Sequence, residues 1–198
     1  RKYFPKINYG MNTAAEKKSK SKTVSKIIAS SQNTFQIEII ENIGEDDSLV
    51  LYKISKQLVN IFGKNSLLND NNIKKYFNNE TLPFVARYKK NIIGYIIGVP
   101  IEYFIDEAWS HYDGNLNKKN TLYTYAFVMD IKYQSGKARY AKTLKSIYLS
   151  WAKKRGYEYV SGHVRQDLAI KFPNTKILKT FPVWYESKYP FSYYRRKL

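Results

Sequence analysis

The fold of this chain is decided by the stretch FVMDIKYQSGKARYAKTL, which occupies residues 127–144. Its first residues end a β-rich run, and its last residues open a helical pattern. One face of that helix holds Ala141, Leu144, Tyr148 and Trp151. Between strand and helix lies a short turn with a glycine, whose amides and following helix terminus can bind phosphate oxygens. The stretch therefore predicts either an anion-binding turn or a plain strand-to-helix connection.

Strands and helices alternate on both sides of this stretch, according to hydrophobic periodicity and turn residues. The predicted strands cover residues 35–39, 82–88, 92–99, 121–131 and 157–164, with a terminal hairpin of 183–185 and 192–195. The predicted helices run from Asp46 or Asp47 to Gly63, near 71–77, after residue 138 and over 167–172. The resulting order β, α, α, β, β, β, α, β, α, β, β indicates a single α/β domain.

The central stretch resembles the pyrophosphate loop of the GNAT superfamily of acyl-coenzyme A-dependent N-acyltransferases. In the family pattern Gln/Arg-x-x-Gly-x-Gly/Ala, the last two positions fit Gly136 and Ala138, and Gln134 has the expected residue type one position late. The stretch HVRQDLAIKFPN at 163–174 resembles the approach to the family's fourth helix. The final residues, WYESKYPFSYYRRKL at 184–198, resemble its closing hairpin.

The resemblance implies a mixed, mostly antiparallel central sheet with flanking helices, splayed between its fourth and fifth strands, here 121–131 and 157–164. It also implies acetyl-CoA as the co-substrate, with the thioester carbonyl polarised by an amide near Met129. The pantetheine arm would then pair with the backbone of Phe127, Val128 and Met129. The pyrophosphate would be held by Gln134, Ser135, Gly136, Lys137, Ala138 and Arg139.

Acyl transfer to an amine needs an acid for the leaving thiolate and a base for the ammonium. The resemblance implies a tyrosine acid in the fourth helix. The matching place falls at Phe172 or Pro173, neither of which can donate a proton, so Tyr185 is the candidate acid. The candidate bases, on strand position, are Glu102, Asp130 and His163. Each also has an ordinary structural explanation, as a solvent-facing strand end or a partly buried histidine.

Positive charge is concentrated at the two ends of the chain, which has a formal net charge of +18. Residues 1–30 hold eight basic residues and one acidic residue, and residues 132–198 hold sixteen and three. Residues 1–33 are predicted as a basic, low-complexity N-terminal arm, followed by a domain over 34–198. We expect these regions to contact nucleic acid or a large nucleoprotein or protein assembly. An AT-rich genome, which favours Lys, Asn, Ile and Tyr codons, is an alternative origin of the charge.

The sequence leaves two classes of function open. The first is an N-acetyltransferase for a protein or small-molecule amine. The acidic and aromatic loop 105–120 would attract such an amine, or it is simply a solvated connection. The second is a catalytically weak or inactive GNAT-like module that binds nucleic acid or a ribonucleoprotein. The absence of cysteine excludes disulfides, thiolate zinc sites and a cysteine nucleophile. Neither a signal peptide nor a membrane span is predicted, so we expect a soluble protein of the cytoplasm.

Overall fold

The computed structural model describes residues 21–32, 34–135 and 139–198. The strands in these ranges are β1 (Val24–Ser31), β2 (Phe35–Asn42), β3 (Leu82–Tyr88), β4 (Asn91–Pro100), β5 (Thr121–Met129), β6 (Tyr159–Arg165), β7 (Thr175–Phe181) and β8 (Phe191–Lys197). The α-helices are α1 (Glu45–Phe62), α2 (Ile73–Tyr76), α3 (Tyr140–Lys154) and α4 (Gln166–Ala169). None of these described helices has the length and apolar content of a membrane span.

The strands form one sheet in the order β1-β2-β3-β4-β5-β6-β8-β7. Neighbouring strands are antiparallel except β5 and β6, which run parallel. These two are the fourth and fifth strands of the sequence prediction, because β1 was not predicted. The predicted mixed, mostly antiparallel sheet with flanking helices is confirmed.

The first strand corrects the predicted extent of the N-terminal arm. Strand β1 pairs with β2, so residues 24–31 belong to the sheet rather than to an arm that ends at residue 33. The chain before β1 is also tied to the fold, because the Gly44 N–H donates to Thr23 Oγ1 over 3.0 Å. As an edge strand β1 is largely exposed, which is why it lacks a clear apolar alternation. Residues 1–20 of the predicted arm lie outside the described residues.

The terminal hairpin also differs from the prediction. Strand β7 pairs with β8, whereas residues 183–185 lie in the connection between them. Val183 is 74% exposed, and Tyr185 has a φ of 50°, in the left-handed region rather than the β region. Strand β7 forms the other edge of the sheet and carries Lys176 and Lys179, so its sequence shows no continuous apolar run.

Hydrophobic layers cover both faces of the sheet. Helix α1 packs Leu51 and Ile54 against the face that holds Tyr95. Helix α3 packs Leu144 and Tyr148 against the opposite face. Residues three or four apart lie on one side of a helix, which is why the apolar spacing in the sequence located both helices.

A buried ion cluster fastens α1 to the sheet. The Arg87 guanidinium of β3 lies 2.9 Å from the Glu38 carboxylate of β2 and 2.5 Å from the Asp47 carboxylate of α1. Burial raises the pKa of Asp47, but the hydrogen bonds and charge of Arg87 outweigh that effect and hold the pKa below its usual value. The N-cap of α1 is Gly44, so Asp47 pairs with Arg87 in the first turn rather than capping the helix as predicted.

Candidate active site

Strands β5 and β6 are paired only where they begin. Residues 121–123 lie beside 159–161, and the rest of β5 has no partner on β6. The predicted splay between these two strands is therefore confirmed. The gap opens into a cavity of about 530 Å³, which is bounded by residues 123–127 of β5 and 162–165 of β6.

A β-bulge in β5 changes which side chains face each side of the sheet. The register with β4 shifts between Thr124 and Ala126, which leaves Tyr125 unpaired. Tyr125 and Ala126 therefore both pack in the layer of α1. The Thr124 hydroxyl instead lies 2.9 Å from the hydroxyl of Tyr148 on α3. The cavity consequently has two parts, the α1-side compartment and the α3-side compartment.

The hydrogen bonds of β5 with β4 identify the peptide groups that face the gap. The Asp130 N–H donates to the Ile93 carbonyl of β4 over 2.8 Å. Because peptide groups alternate between the two edges of a strand, those of Phe127 and Met129 point away from β4 and into the gap. The Met129 carbonyl accepts a hydrogen bond from Gln134 Nε2 over 2.9 Å. In contrast to the Met129 carbonyl, the N–H and carbonyl of Phe127 are open toward the cavity.

Aromatic rings dominate the α1-side compartment. They belong to Tyr76, Phe104, Trp109, Tyr123, Tyr125, Trp184 and Tyr185. Among the described residues that line the cavity, Glu107 is the only one with a carboxylate. Burial, followed by the charge of Glu107, raises the pKa of Tyr185 above its usual value. The predicted acid Tyr185 thus lies at the cavity and keeps its proton at neutral pH.

The imidazole of His163 is held in an aromatic stack at the cavity wall. Its ring lies nearly parallel to that of Trp184, with 3.7 Å between centroids, and its Nδ1 is 2.9 Å from the Tyr123 hydroxyl. Its Nε2 is buried and has no hydrogen-bond partner among the described residues. Burial lowers the pKa of His163 to about 3. Such a group accepts protons poorly near pH 7, which argues against the predicted role of general base.

The α3-side compartment contains two cations that form no ion pair among the described residues, whereas Arg165, which also lines the cavity, is paired with Asp167. The wall of this compartment is formed by Lys145, Tyr148, Leu149, Leu168, Phe172, Tyr194 and Arg196. The Lys145 ammonium lies 4.6 Å from the centre of the Phe172 ring. Phe172 stands near the place where the family resemblance implies a tyrosine, so the side chain that reaches the cavity there has no hydroxyl.

Two of the predicted bases have local structural contacts away from the cavity. Glu102 Oε1 accepts a hydrogen bond from the Lys119 N–H over 2.9 Å, which ties together the ends of the loop between β4 and β5. Asp130 Oδ1 accepts from the Lys132 N–H over 3.0 Å and caps the turn after β5. Neither residue lines the cavity. These contacts argue against the predicted role of Glu102 and Asp130 as bases, as burial does for His163.

The predicted phosphate-binding turn is described in part. The Gln134 amide donates to Gln57 Oε1 over 3.0 Å as well as to Met129, so its side chain braces the end of β5. Ser135 and Arg139 line a second cavity of about 220 Å³ together with Tyr88, Lys132, Tyr133, Tyr140 and Ala141. Gly136, Lys137 and Ala138 lie outside the described residues, and their role stays a prediction. Val128 and Met129 are buried, so only their backbone could meet a ligand.

The sequence matches neither a family model nor a curated protein. Solved structures resemble the fold. The GCN5-related N-acetyltransferase from Kribbella flavida has a TM-score of 0.60 at 11% identity, over 85% of this chain and 100% of that chain. The ribosomal-protein-alanine N-acetyltransferase from Brucella melitensis has a TM-score of 0.54 at 13% identity, over 82% of this chain and 99% of that chain. The chain has the GNAT fold.

A third structure with the GNAT fold was solved with its cofactor acetyl-CoA. It is yncA from Salmonella typhimurium, with a TM-score of 0.59 at 12% identity, over 84% of this chain and 95% of that chain. At such low identity the likeness concerns the arrangement of strands and helices. The chemistry of the present chain depends on its own cavity residues.

The cavity of this GNAT fold contains residues that the sequence analysis did not identify. Trp184, Lys145 and Arg196 all line it. Lys145 follows a core position of α3 by one residue, and Arg196 belongs to a run of basic residues at the end of the chain. Nothing in their sequence context separates them from surface cations. Glu107 was signalled only through the acidic and aromatic loop that contains it.

Proposed function

We propose that this chain is an N-acetyltransferase that moves an acetyl group from acetyl-CoA to a primary amine. The observation that carries this proposal is the cavity between β5 and β6, which crosses the sheet beside an open strand edge and the phenol of Tyr185. A donor and an acceptor can enter such a cavity from opposite faces and meet inside it. Proximity of this kind is a large source of rate acceleration for two-substrate reactions.

The residues of the α3-side compartment fit the donor. The pantetheine arm of acetyl-CoA contains amides, and the open N–H and carbonyl of Phe127 are suited to pair with them as a strand partner would. The Phe127 ring is 36% exposed and adds an apolar wall. We assign the pyrophosphate to residues 134–139, which precede α3, because the N-terminus of a helix favours binding of phosphate. The sequence supports this last assignment through Gly136 and Ala138.

The α1-side compartment fits an amine with an apolar body. Tyr125 stacks on Tyr76 at 4.0 Å between centroids, and Phe104 lies nearly parallel to Tyr125 at 6.2 Å. Flat aromatic walls bind apolar rings and also attract cations through their π faces. Glu107 adds one negative charge, which favours an ammonium group over a neutral or acidic molecule. We therefore propose an arylalkyl or similarly apolar amine as the acceptor.

The proposed reaction involves Glu107 and Tyr185 at the cavity. The acceptor ammonium first loses a proton to water beside Glu107. The amine nitrogen then attacks the thioester carbonyl carbon, so that a C–N bond forms and the C–S bond breaks. The Tyr185 phenol gives its proton to the departing sulfur and regains one from solvent, and the attacking nitrogen releases its second proton to solvent as the amide forms. An amide and free CoA are the products, and no oxidant or metal enters the balance.

Acetyl transfer is tested by incubating the purified chain with acetyl-CoA and amines while free thiol and product mass are followed. We expect tryptamine and phenethylamine to be acetylated at least tenfold faster, in kcat/KM, than ethanolamine or spermidine. Equal rates for all four amines would contradict the acceptor class and leave acetyl transfer intact. No thiol release with any amine, including a lysine-containing peptide, would contradict the function itself.

A second candidate, a module that binds nucleic acid, is favoured by the charge of the C-terminal third. Residues 132–198 hold sixteen basic residues and three acidic residues. Among the described ones, only Arg165 and Arg195 form ion pairs. Binding of single-stranded RNA that weakens steeply between 50 and 200 mM salt, without thiol release, would support this alternative. Acetyl transfer without RNA binding would exclude it.

A further inference from the structure

The α3-side compartment contains two positive charges that no described residue neutralises. Lys145 and Arg196 both line the cavity, and neither takes part in the ion pairs formed among the described residues. The Nε of Arg196 is buried and has no hydrogen-bond partner there. A buried charged donor without a partner is costly, because it has lost water and gained nothing in exchange.

The two side chains point into the same space. Tyr193 donates to Asp113 on the α1 side of the sheet, over 2.9 Å. Side chains alternate along a strand, so Tyr194 and Arg196 face the α3 side. The packing of Phe172 against both Tyr194 and the ammonium of Lys145 places Lys145 on that side too.

The pKa of Lys145 is affected by burial and by the neighbouring charge of Arg196. Burial, followed by the charge of Arg196, lowers the pKa of Lys145. Two like charges that approach each other in a partly buried site repel, and the repulsion disappears when an anion binds between them. Glu107, the only carboxylate among the described residues that line the cavity, belongs to the α1-side compartment, where it acts on Tyr185.

The site lies at the closed end of the gap. Arg196 pairs with Val160 of β6, and Val160 pairs with Leu122 of β5 within the short paired segment. Lys145 lies in the second turn of α3, beyond the start of the helix at Tyr140. An anion here would therefore be separate from the pyrophosphate proposed at residues 134–139.

We propose that Lys145 and Arg196 form an anion subsite that binds a carboxylate on the acyl chain of the acyl-CoA donor. This inference rests on the proposed function, because it assigns the anion to the donor. The chemistry required is a compact oxyanion that accepts hydrogen bonds from an ammonium and a guanidinium. A carboxylate on the acyl chain meets this requirement. It can reach the closed end of the gap, whereas the 3′-phosphate lies beyond the proposed pyrophosphate, at the opposite end of the pantetheine arm.

Calorimetric titrations of wild type, Lys145→Met and Arg196→Gln test the subsite. We expect wild type to bind succinyl-CoA about tenfold more tightly than acetyl-CoA, and both variants to lose this preference. Equal affinity of wild type for the two donors, with weaker binding of CoA but not of 3′-dephospho-CoA by the variants, would assign the anion to the 3′-phosphate and overturn the proposal. Lys153→Met, which removes an exposed lysine of the same helix, should match wild type throughout.

The melting temperature in inorganic phosphate or malonate provides a readout independent of CoA. We expect either anion to raise the Tm of wild type and to have a smaller effect on both variants. Without added anion, the Tm of Lys145→Met should equal or exceed that of wild type, because an uncompensated cation has been removed. Stabilisation by phosphate or malonate without any CoA binding would uphold the subsite while refuting the proposed function. Wild-type behaviour of both variants in all these titrations would overturn the subsite.

Discussion

The hydroxyl of Tyr123 lies 2.9 Å from Nδ1 of His163, and this contact joins β5 to β6 at the point where the two strands separate. Tyr123 is the last residue of β5 that pairs with β6. The hydrogen bond therefore lies at the closed end of the gap, and the Trp184 ring stacks on the imidazole. Burial in this arrangement keeps His163 neutral. The hydrogen bond also holds β5 and β6 together at the end of the cavity in which the proposed reaction takes place.

A neutral buried histidine makes the stability of the protein depend on pH. The pKa of His163 is lowered to about 3 in the folded state, compared with about 6.5 in an unfolded chain. The unfolded state therefore binds the extra proton between these values, so stability is lost as the pH falls below about 6.5. Compared with His163→Phe, wild type should lose about 2 kcal/mol more between pH 7 and pH 5. Urea unfolding at both pH values measures this difference, and equal losses would refute the neutral state of His163.

Two truncations should distinguish the contribution of strand β1 to stability from that of the residues before it. A chain that begins at residue 21 keeps Thr23 and all of β1, so we expect its Tm to equal that of the full chain. A chain that begins at residue 34 loses the edge strand and should melt more than about 5 °C lower. Differential scanning calorimetry compares them. An unchanged Tm in the shorter chain would mean that β1 adds nothing to stability.

The ion cluster at Arg87 should contribute strongly to stability. Arg87→Met leaves Glu38 and Asp47 buried without their counter-ion, and we expect a loss of about 3–5 kcal/mol in the free energy of unfolding. Lys90→Met, an exposed change nearby, should stay within about 0.5 kcal/mol of wild type. Chemical denaturation measures both variants, and a similar small effect for each would contradict the structural role of Arg87.

Tyr185 should act on the chemical step rather than on binding. Tyr185→Phe keeps the ring and removes the proton donor, so the rate of acetyl transfer should fall about 10²-fold or more. The Kd for acetyl-CoA should stay unchanged. Tyr112→Phe, at an exposed tyrosine that does not line the cavity, serves as the control and should retain wild-type rates. If both variants turn over like wild type, the acid lies elsewhere.

The sequence predicted those parts of the fold whose side chains are buried. Apolar spacing located α1 and α3, and the apolar runs located the hairpin of β3 and β4 together with β5. The edge strands β1 and β7 were missed because β1 is largely exposed, β7 has no fully buried residue, and both contain lysine. The candidate site also contains residues that the sequence could identify and residues that it could not. Tyr185 and His163 were identified as types of residue that catalysis uses, whereas Lys145 and Arg196 acquire meaning only when strand alternation and helix packing bring them to one compartment.

We propose that acetyl-CoA occupies the gap between β5 and β6 along the open edge of Phe127. Amide hydrogen exchange of peptides covering residues 124–129, with and without saturating acetyl-CoA, measures this occupancy. We predict that the Phe127 amide exchanges at least tenfold more slowly with the ligand present, because a pantetheine carbonyl accepts its hydrogen bond. Amides of β2, on the far side of β3 and β4, should exchange at the same rate in both conditions. Unchanged exchange over residues 124–129 at saturating acetyl-CoA would mean that acetyl-CoA does not bind along this edge.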